Sequence, residues 1–249
     1  MKKMLGMSVC ILVIASGCSF FHALSRPKLI GLTQDPSFTF ESIQTGKMAI
    51  GGIVSVAFND EMNDSLQDVL SYRLLSQLRE QRESYAILPV SELINNLGGA
   101  PYDSLLEAYR NNDGLDERSL ESLSEFTEAR YLIFARIQTN FVSRIRVNVR
   151  QEDNEDDKIR SDATRKVRIL MHIYDCQKKI LAWSGAIVKS KTHQKDYEKQ
   201  EKSTLFQVID VVLGDDETED DLYPYPDTPS LDEIATAIFK GFGQHLPDD

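Results

Sequence analysis

The sequence predicts a mixed α/β domain: one mixed sheet of about five strands flanked by helices, in the order β-α-β-α-α-β-β-β-α-α. Three observations predict it. Residues 47–58 and 130–142 are near-continuous apolar runs rich in β-branched side chains, the pattern of strands buried on both faces. Residues 62–83 and 231–242 repeat their apolar side chains at helical spacing. Residues 144–150, 163–174 and 180–189 are further strand-like stretches, the first two alternating, which reads as an antiparallel meander.

Each element has a local reason. Within the first run, Gly51-Gly52 marks a bulge or a close approach, and the absence of a GxxxxGK[ST] pattern excludes a phosphate loop. Asn59 and Asp60 offer a cap to a helix whose face carries Met62, Leu66, Val69, Leu70, Leu74 and Leu78. A short strand is expected at 85–90, stopped near Pro89. A short helix at 91–97 follows, ended by Gly98-Gly99. Residues 101–112 and 116–129 read as helices around Gly114. Across the meander, Val167, Ile169, Met171 and Ile173 share one face, and residues 175–179 form the hairpin turn. Residues 203–213 read as a helix. Residues 214–229, acidic and proline-containing, read as loop. Ser230 and Glu233 then form a capping box for a last helix. Its inward face carries Leu231, Ile234, Ala235, Ile238, Phe239 and Phe242.

The amino terminus is organised differently. Met1-Lys2-Lys3 is a short positive region, and residues 4–16 form an apolar stretch. That stretch falls short of the roughly 20 residues of a transmembrane helix but has the length of a signal-peptide core. It runs into Ala15-Ser16-Gly17-Cys18. This run resembles a bacterial lipobox, with Ala15 in place of the more usual larger aliphatic residue. The resemblance implies cleavage before Cys18, thioether lipidation of Cys18 and acylation of its new amino group. Ser19 stands where an Asp would retain an enteric lipoprotein at the inner membrane, so the outer membrane is the expected destination. The expected organisation is a signal peptide at 1–17, a lipidated Cys18 with a flexible tether to residue 46, and one domain over 47–246. A tether of that length reaches on the order of 30 Å.

Composition narrows the partners. A hydrophobic fraction of 41% and a charged fraction of 27% suit a folded, water-facing domain. The formal charge is −11, and becomes two units more negative once Lys2 and Lys3 leave with the signal. Such a charge disfavours nucleic acid as a partner. With Cys10 discarded and Cys18 lipidated, Cys176 is the one remaining thiol, so no disulfide within the mature chain is expected. A buried inert thiol, a pairing with another chain and a reactive role are its three readings.

The element order and some local wording resemble a family of envelope lipoproteins. It includes the curli export channel subunit CsgG, the peptidoglycan-synthase activator LpoB and the amino-terminal domain of TolB. The matching wording is the run from Lys47 to Ile53, the helical spacing from Leu66 to Leu78, the strand from Ala129 to Ile137, and the hairpin run from Ile180 to Gly185. This resemblance spans roughly residues 45–245. It implies a CsgG- or LpoB-like α/β domain doing non-enzymatic work: binding another envelope protein, or assembling into a ring.

No catalytic constellation stands out. His22, His172, His193 and His245 lie singly, without HExxH or a second ligand at metal spacing, and there is no GxSxG. No metal or cofactor is expected. Acidic runs at 152–157 and 215–221 lack the loop pattern of an EF-hand and read as solvated loop. An envelope hydrolase using paired carboxylates is the residual enzymatic reading. The sharper feature is the basic strand. Arg144, Arg146 and Arg150 alternate with Ile145, Val147 and Val149, and line up across the hairpin with Arg165, Lys166 or Arg168. Two readings stand: a docking face for an acidic partner, with Arg144, Arg146, Arg150 and Arg168 as contacts, or a solvent face whose charges pair with the loop 152–157 or another acidic segment. Arginine at every second position makes this hairpin a poor lipid-facing element. The expected function is that of an outer-membrane-anchored accessory lipoprotein facing the periplasm; the alternative is a subunit of an oligomeric secretion or transport assembly.

Overall fold

The computed structural model describes residues 27–58, 61–112, 114–149, 158–198 and 219–248. The signal region, Cys18, Arg150, the acidic run 152–157 and the expected helix at 203–213 lie outside the described residues. A six-stranded mixed sheet forms the middle layer. Its strands are β1 (Leu29–Gln34), β2 (Met48–Ser55), β3 (Ile87–Leu88), β4 (Tyr131–Val149), β5 (Lys158–Asp175) and β6 (Ile180–Glu198). Their order is β1-β6-β5-β4-β2-β3. β2 runs parallel to β3 and β4, and the remaining pairs are antiparallel.

Seven helices flank the sheet among the described residues: α1 (Phe40–Gly46), α2 (Asp64–Gln81), α3 (Val90–Leu97), α4 (Gly99–Asn111), α5 (Glu117–Phe126), α6 (Glu219–Leu222) and α7 (Leu231–His245). α1, α2 and α7 cover one face. There Leu70, Leu74 and Leu78 of α2, and Ile234, Ile238, Phe239 and Phe242 of α7, meet Ile133, Ile137, Ile169, Met171, Ile173 and Trp183. α3, α4 and α5 cover the other face, where Leu93, Tyr109, Leu120 and Leu123 pack on Leu132, Phe134 and Tyr174. The middle of the sheet is thus buried on both sides, which is why all eight residues of β2 are buried and read as one apolar run.

Local signals act as expected at several boundaries. Turn 176–179 joins β5 to β6, and Ser230 accepts from the Glu233 amide at the start of α7, although the Glu233 carboxylate pairs with Lys191 and does not close the expected capping box. The cap of α2 is Asn63, whose side chain accepts from the Leu66 amide at 2.8 Å, in place of the expected Asn59 or Asp60. At the Gly pair, the register of β2 against β4 shifts between Ile50 and Gly52. Gly51 leaves room for the Phe134 ring, and Gly52 (φ +145°) for Leu106 and Tyr102.

One expectation needs correction: part of the expected tether belongs to the folded domain. β1 pairs antiparallel with β6, Phe38 is buried, and Thr39 and Ser42 form a capping box for α1. β1 is an exposed edge strand kinked at Gly31 (φ +66°), so it carries no apolar period to betray it. The run at 130–142 and the described part of the run at 144–150 form one 19-residue strand, β4, which leaves three strands between 130 and 190 as the expected order has it. A bulge between Ile137 and Thr139 shifts the phase of its side chains. Tyr131, Ile133, Ala135 and Ile137 face α7, and beyond the bulge Asn140, Val142, Arg144 and Arg146 share that face by their pairing with odd-numbered residues of β5.

Candidate functional site

Beyond Ile137 and Ile187 the sheet narrows to three strands. No described strand pairs with the outer edge of β4 over 139–149, or with that of β6 over 188–198. Together with β5 these stretches form an antiparallel ribbon extending roughly 33 Å past the core, from about ten residues per strand. Its two faces differ in chemistry and in cover.

The face continuous with α7 carries Arg144 and Arg146 of β4, Ser161, Ala163 and Arg165 of β5, and Lys191, His193 and Tyr197 of β6. Residues 219–230 lie across it. Arg146 donates to an Asp220 carboxylate oxygen at 2.8 Å and to the Tyr223 carbonyl at 2.9 Å. Its guanidinium stands 4.5 Å from the centre of the Tyr225 ring. Ser161 also donates to the Tyr223 carbonyl, at 3.1 Å, and the Tyr197 hydroxyl donates to the Pro224 carbonyl. His193 Nδ1 lies 2.7 Å from the Asp227 carbonyl. Arg165 makes a bidentate pair with Glu61, at 2.8 and 3.2 Å, and Lys191 pairs with Glu233. The ion pairs are open to water on the acidic side, so each is worth about 0–1 kcal/mol. Burial of Tyr223 and the carbonyl contacts do more to hold the segment down.

Of the sequence-predicted site residues, Arg144 and Arg146 therefore lie side by side on the covered face, Arg146 engaged by the chain itself and Arg144 more exposed, with Tyr225 at 6.0 Å. Arg168 lies on the opposite face of the ribbon, beside Thr139. Arg150 and Cys18 lie outside the described residues. The opposite face presents a stripe that residue-type reasoning did not single out: Phe141, Ile145 and Val147 of β4, respectively 59%, 55% and 41% exposed. Alternation separates Ile145 and Val147 from the arginines. It does not say which set faces water.

Elsewhere, His172 is buried beneath α4. Its Nδ1 lies 3.2 Å from the Tyr109 hydroxyl and 3.3 Å from the Tyr174 hydroxyl, and Tyr174 in turn accepts from the Leu115 amide at 3.0 Å. Arg136 donates to the carbonyls of Tyr109 and Asn112. These bonds pin the α4–α5 connection to the sheet. A cleft of about 400 Å³ between α2 and α4 is lined by Asp64, Asp68, Tyr102, Asp103, Glu107 and Arg110. Burial, reinforced by Asp68 and Asp103, holds the Tyr102 hydroxyl above the usual tyrosine range. Among the described residues no group of His, Cys, Asp and Glu is arranged to hold a metal ion. No described helix is long and apolar enough to cross a membrane.

Cys176 is 2% exposed, and burial, with a smaller push from Asp175, raises its thiol from 9.0 to about 12. Thiolate is the reactive form. Cys176 in the native chain is therefore expected to resist iodoacetamide at pH 8 over hours and to react within minutes in 6 M guanidinium, read by peptide mass mapping at that residue. Prompt native alkylation would return it to the reactive thiols.

No family model matches the sequence, and no curated protein matches it. Among solved structures the chain is similar to the PelC dodecamer of Paraburkholderia phytofirmans, at 11% identity over 89% of this chain and 99% of that one, with a TM-score of 0.37. It is similar to lipoprotein GNA1162 of Neisseria meningitidis, at 13% identity over 68% and 96% of the two chains, TM-score 0.34. The C-terminal domain of LpoB from Salmonella enterica is matched at 13% identity over 58% and 82%, TM-score 0.36.

Proposed function

We propose that this chain is a lipid-anchored bacterial envelope lipoprotein, held at the outer membrane through Cys18, whose periplasm-facing domain binds another envelope protein and catalyses no reaction. The observation that carries the binding part is the ribbon: three strands standing clear of the core with Phe141, Ile145 and Val147 open to water on one face. Exposed apolar side chains gathered on one surface are the usual mark of a protein–protein contact. Anchoring rests on the lipobox-like run ending at Cys18 and the apolar stretch before it.

Cys18→Ser tests the anchor. Metabolic labelling with a fatty acid should mark the parent chain and leave the variant unlabelled, and fractionation should move the variant out of the membrane pellet, because several acyl chains are needed for stable attachment. A labelled Cys18→Ser variant would end this reading of the amino terminus. A photo-crosslinking residue at Ile145 in living cells tests the binding part: the reading requires one recurrent envelope partner, and a uniform smear equal to that from an exposed α2 position such as Tyr72 would defeat it.

A further inference from the structure

We propose that Asp220 and the turn of helix that carries it are a built-in competitor for an acidic segment of a partner, which docks on Arg144 and Arg146 once residues 219–222 lift. The proposal concerns the covered face of the ribbon and stands apart from the reading of its open face. It rests on how unevenly residues 219–230 are held. The later part is pinned. Tyr223 and Pro229 are buried, and the Tyr223 ring meets Tyr197 edge-on with centres 5.8 Å apart. The carbonyls of Tyr223, Pro224 and Asp227 each meet a side chain of β5 or β6. The earlier part is held differently. Asp220 and Asp221 are exposed, and α6 is one turn of four residues. Asp220 reaches Arg146 through an ion pair whose acidic side chain is 73% exposed. A pair so open to water does little to hold its segment down.

The surface beneath suits carboxylates. Arg144 and Arg146 lie two residues apart on one face of β4, about 7 Å along the strand. The Tyr225 ring stands beside both, 6.0 Å from the Arg144 guanidinium and 4.5 Å from that of Arg146. Arg165 and Lys191 of the same face already pair with Glu61 and Glu233. Asp220 answers Arg146, whereas Arg144 is exposed and pairs with no carboxylate among the described residues. The chain thus satisfies with its own carboxylate one of two adjacent cations. An extended segment with carboxylates at alternate positions matches the spacing of both arginines, and gains at Arg144 a charge-assisted bond that Asp220 does not make. That difference lets an acidic partner segment displace residues 219–222 while Tyr223 and the residues after it stay in place.

The experiment uses the purified full chain and two synthetic octapeptides with blocked termini, (Glu-Ser)4 and (Lys-Ser)4, which carry no apolar side chain for the open face. Fluorescence anisotropy should show (Glu-Ser)4 binding and (Lys-Ser)4 binding at least about tenfold more weakly. Asp220→Asn keeps the shape of the side chain and removes its charge. It should bind (Glu-Ser)4 about fivefold more tightly than the parent chain, the ceiling for releasing an exposed ion pair. Arg144→Glu should weaken that binding by about tenfold or more, with Asp220 still in place. Both substitutions are at exposed positions and should leave the thermal midpoint unaltered. On adding (Glu-Ser)4 to the parent chain, amides of 219–222 should exchange faster and that of Tyr223 should exchange as before. Equal binding by the parent chain and Asp220→Asn overturns the proposal, as does full binding by Arg144→Glu or failure of (Glu-Ser)4 to bind any of the three chains. Slower exchange at 219–222 also overturns it, because the peptide would then sit on that turn instead of replacing it. None of these outcomes involves Ile145 or lipid attachment at Cys18, so this proposal and the readings of the open face and the anchor fail separately.

Discussion

Asp175→Ala is expected to lower the unfolding free energy by about 3 kcal/mol, the lower end of what breaking a buried ion pair costs. Asp175 sits at the end of β5, 1% exposed by side chain, and serves two elements at once. One carboxylate oxygen accepts from Arg130 Nε and an Arg130 terminal nitrogen at 2.9 and 2.6 Å, and the other accepts the Gln177 and Lys178 amides at 3.1 Å. The same side chain therefore neutralises the arginine that opens β4 and shapes the turn into β6. Removing it leaves a guanidinium that is only 19% exposed and two turn amides without their acceptor. That residual exposure keeps the estimate at the lower end. Urea unfolding followed by circular dichroism measures the effect. Glu128→Gln is the control, because its pair with Lys47 has side chains 80% and 48% exposed and should show no measurable change. If the two variants unfold alike, Asp175 is not the keystone of this corner.

The corner also shows what the sequence discloses and what it withholds. The turn at 175–179, the buried run of β2 and the inward faces of α2 and α7 are legible because each is fixed by near neighbours: a turn residue, a run of β-branched side chains, a helical period. β1 was not legible. Five of its six residues are exposed, so burial never wrote a pattern into it, and only its pairing with β6 makes it a strand. The alternation of β4 changes phase at the bulge after Ile137, so its apolar pattern falls into two runs, because a one-residue slip moves every later side chain to the other face. The ribbon inherits that ambiguity. Alternation sorts Ile145 and Val147 from Arg144 and Arg146, yet which set is covered depends on residues more than 70 positions away. Asp220, Tyr223 and Tyr225 can satisfy arginine and cannot satisfy isoleucine. So the arginine face is the covered one, with Arg146 engaged and Arg144 left exposed, and the apolar stripe turns outward, against the usual preference. The excess of acid near 215–227 was the one signal pointing that way.

Gly52→Ala should cost about 2–4 kcal/mol, and comparison with Gly98→Ala separates its two causes. Both glycines have positive φ, +145° and +83°, where a side chain strains the backbone. A Cβ at Gly98 meets nothing nearer than Pro101 at 3.9 Å, so strain alone, of order 1 kcal/mol, is expected there. At Gly52 the added atom falls 2.6 Å from a Leu106 methyl and 2.8 Å from the Tyr102 hydroxyl. Both neighbours sit in α4 and are themselves buried, so they yield only if the helix lifts from the sheet. Overpacking of that kind adds about 1–3 kcal/mol. The lift should be visible as well as measurable. α4 carries Tyr109, which holds His172 and Arg136, so amides of α4 and of the α4–α5 connection should exchange faster in Gly52→Ala. The ribbon, built from β4, β5 and β6 beyond the reach of α4, should exchange as before. Equal losses in the two variants would mean that the Gly pair is there for its backbone angle alone, and faster exchange across the ribbon would mean that the ribbon and the helix-covered core do not open separately.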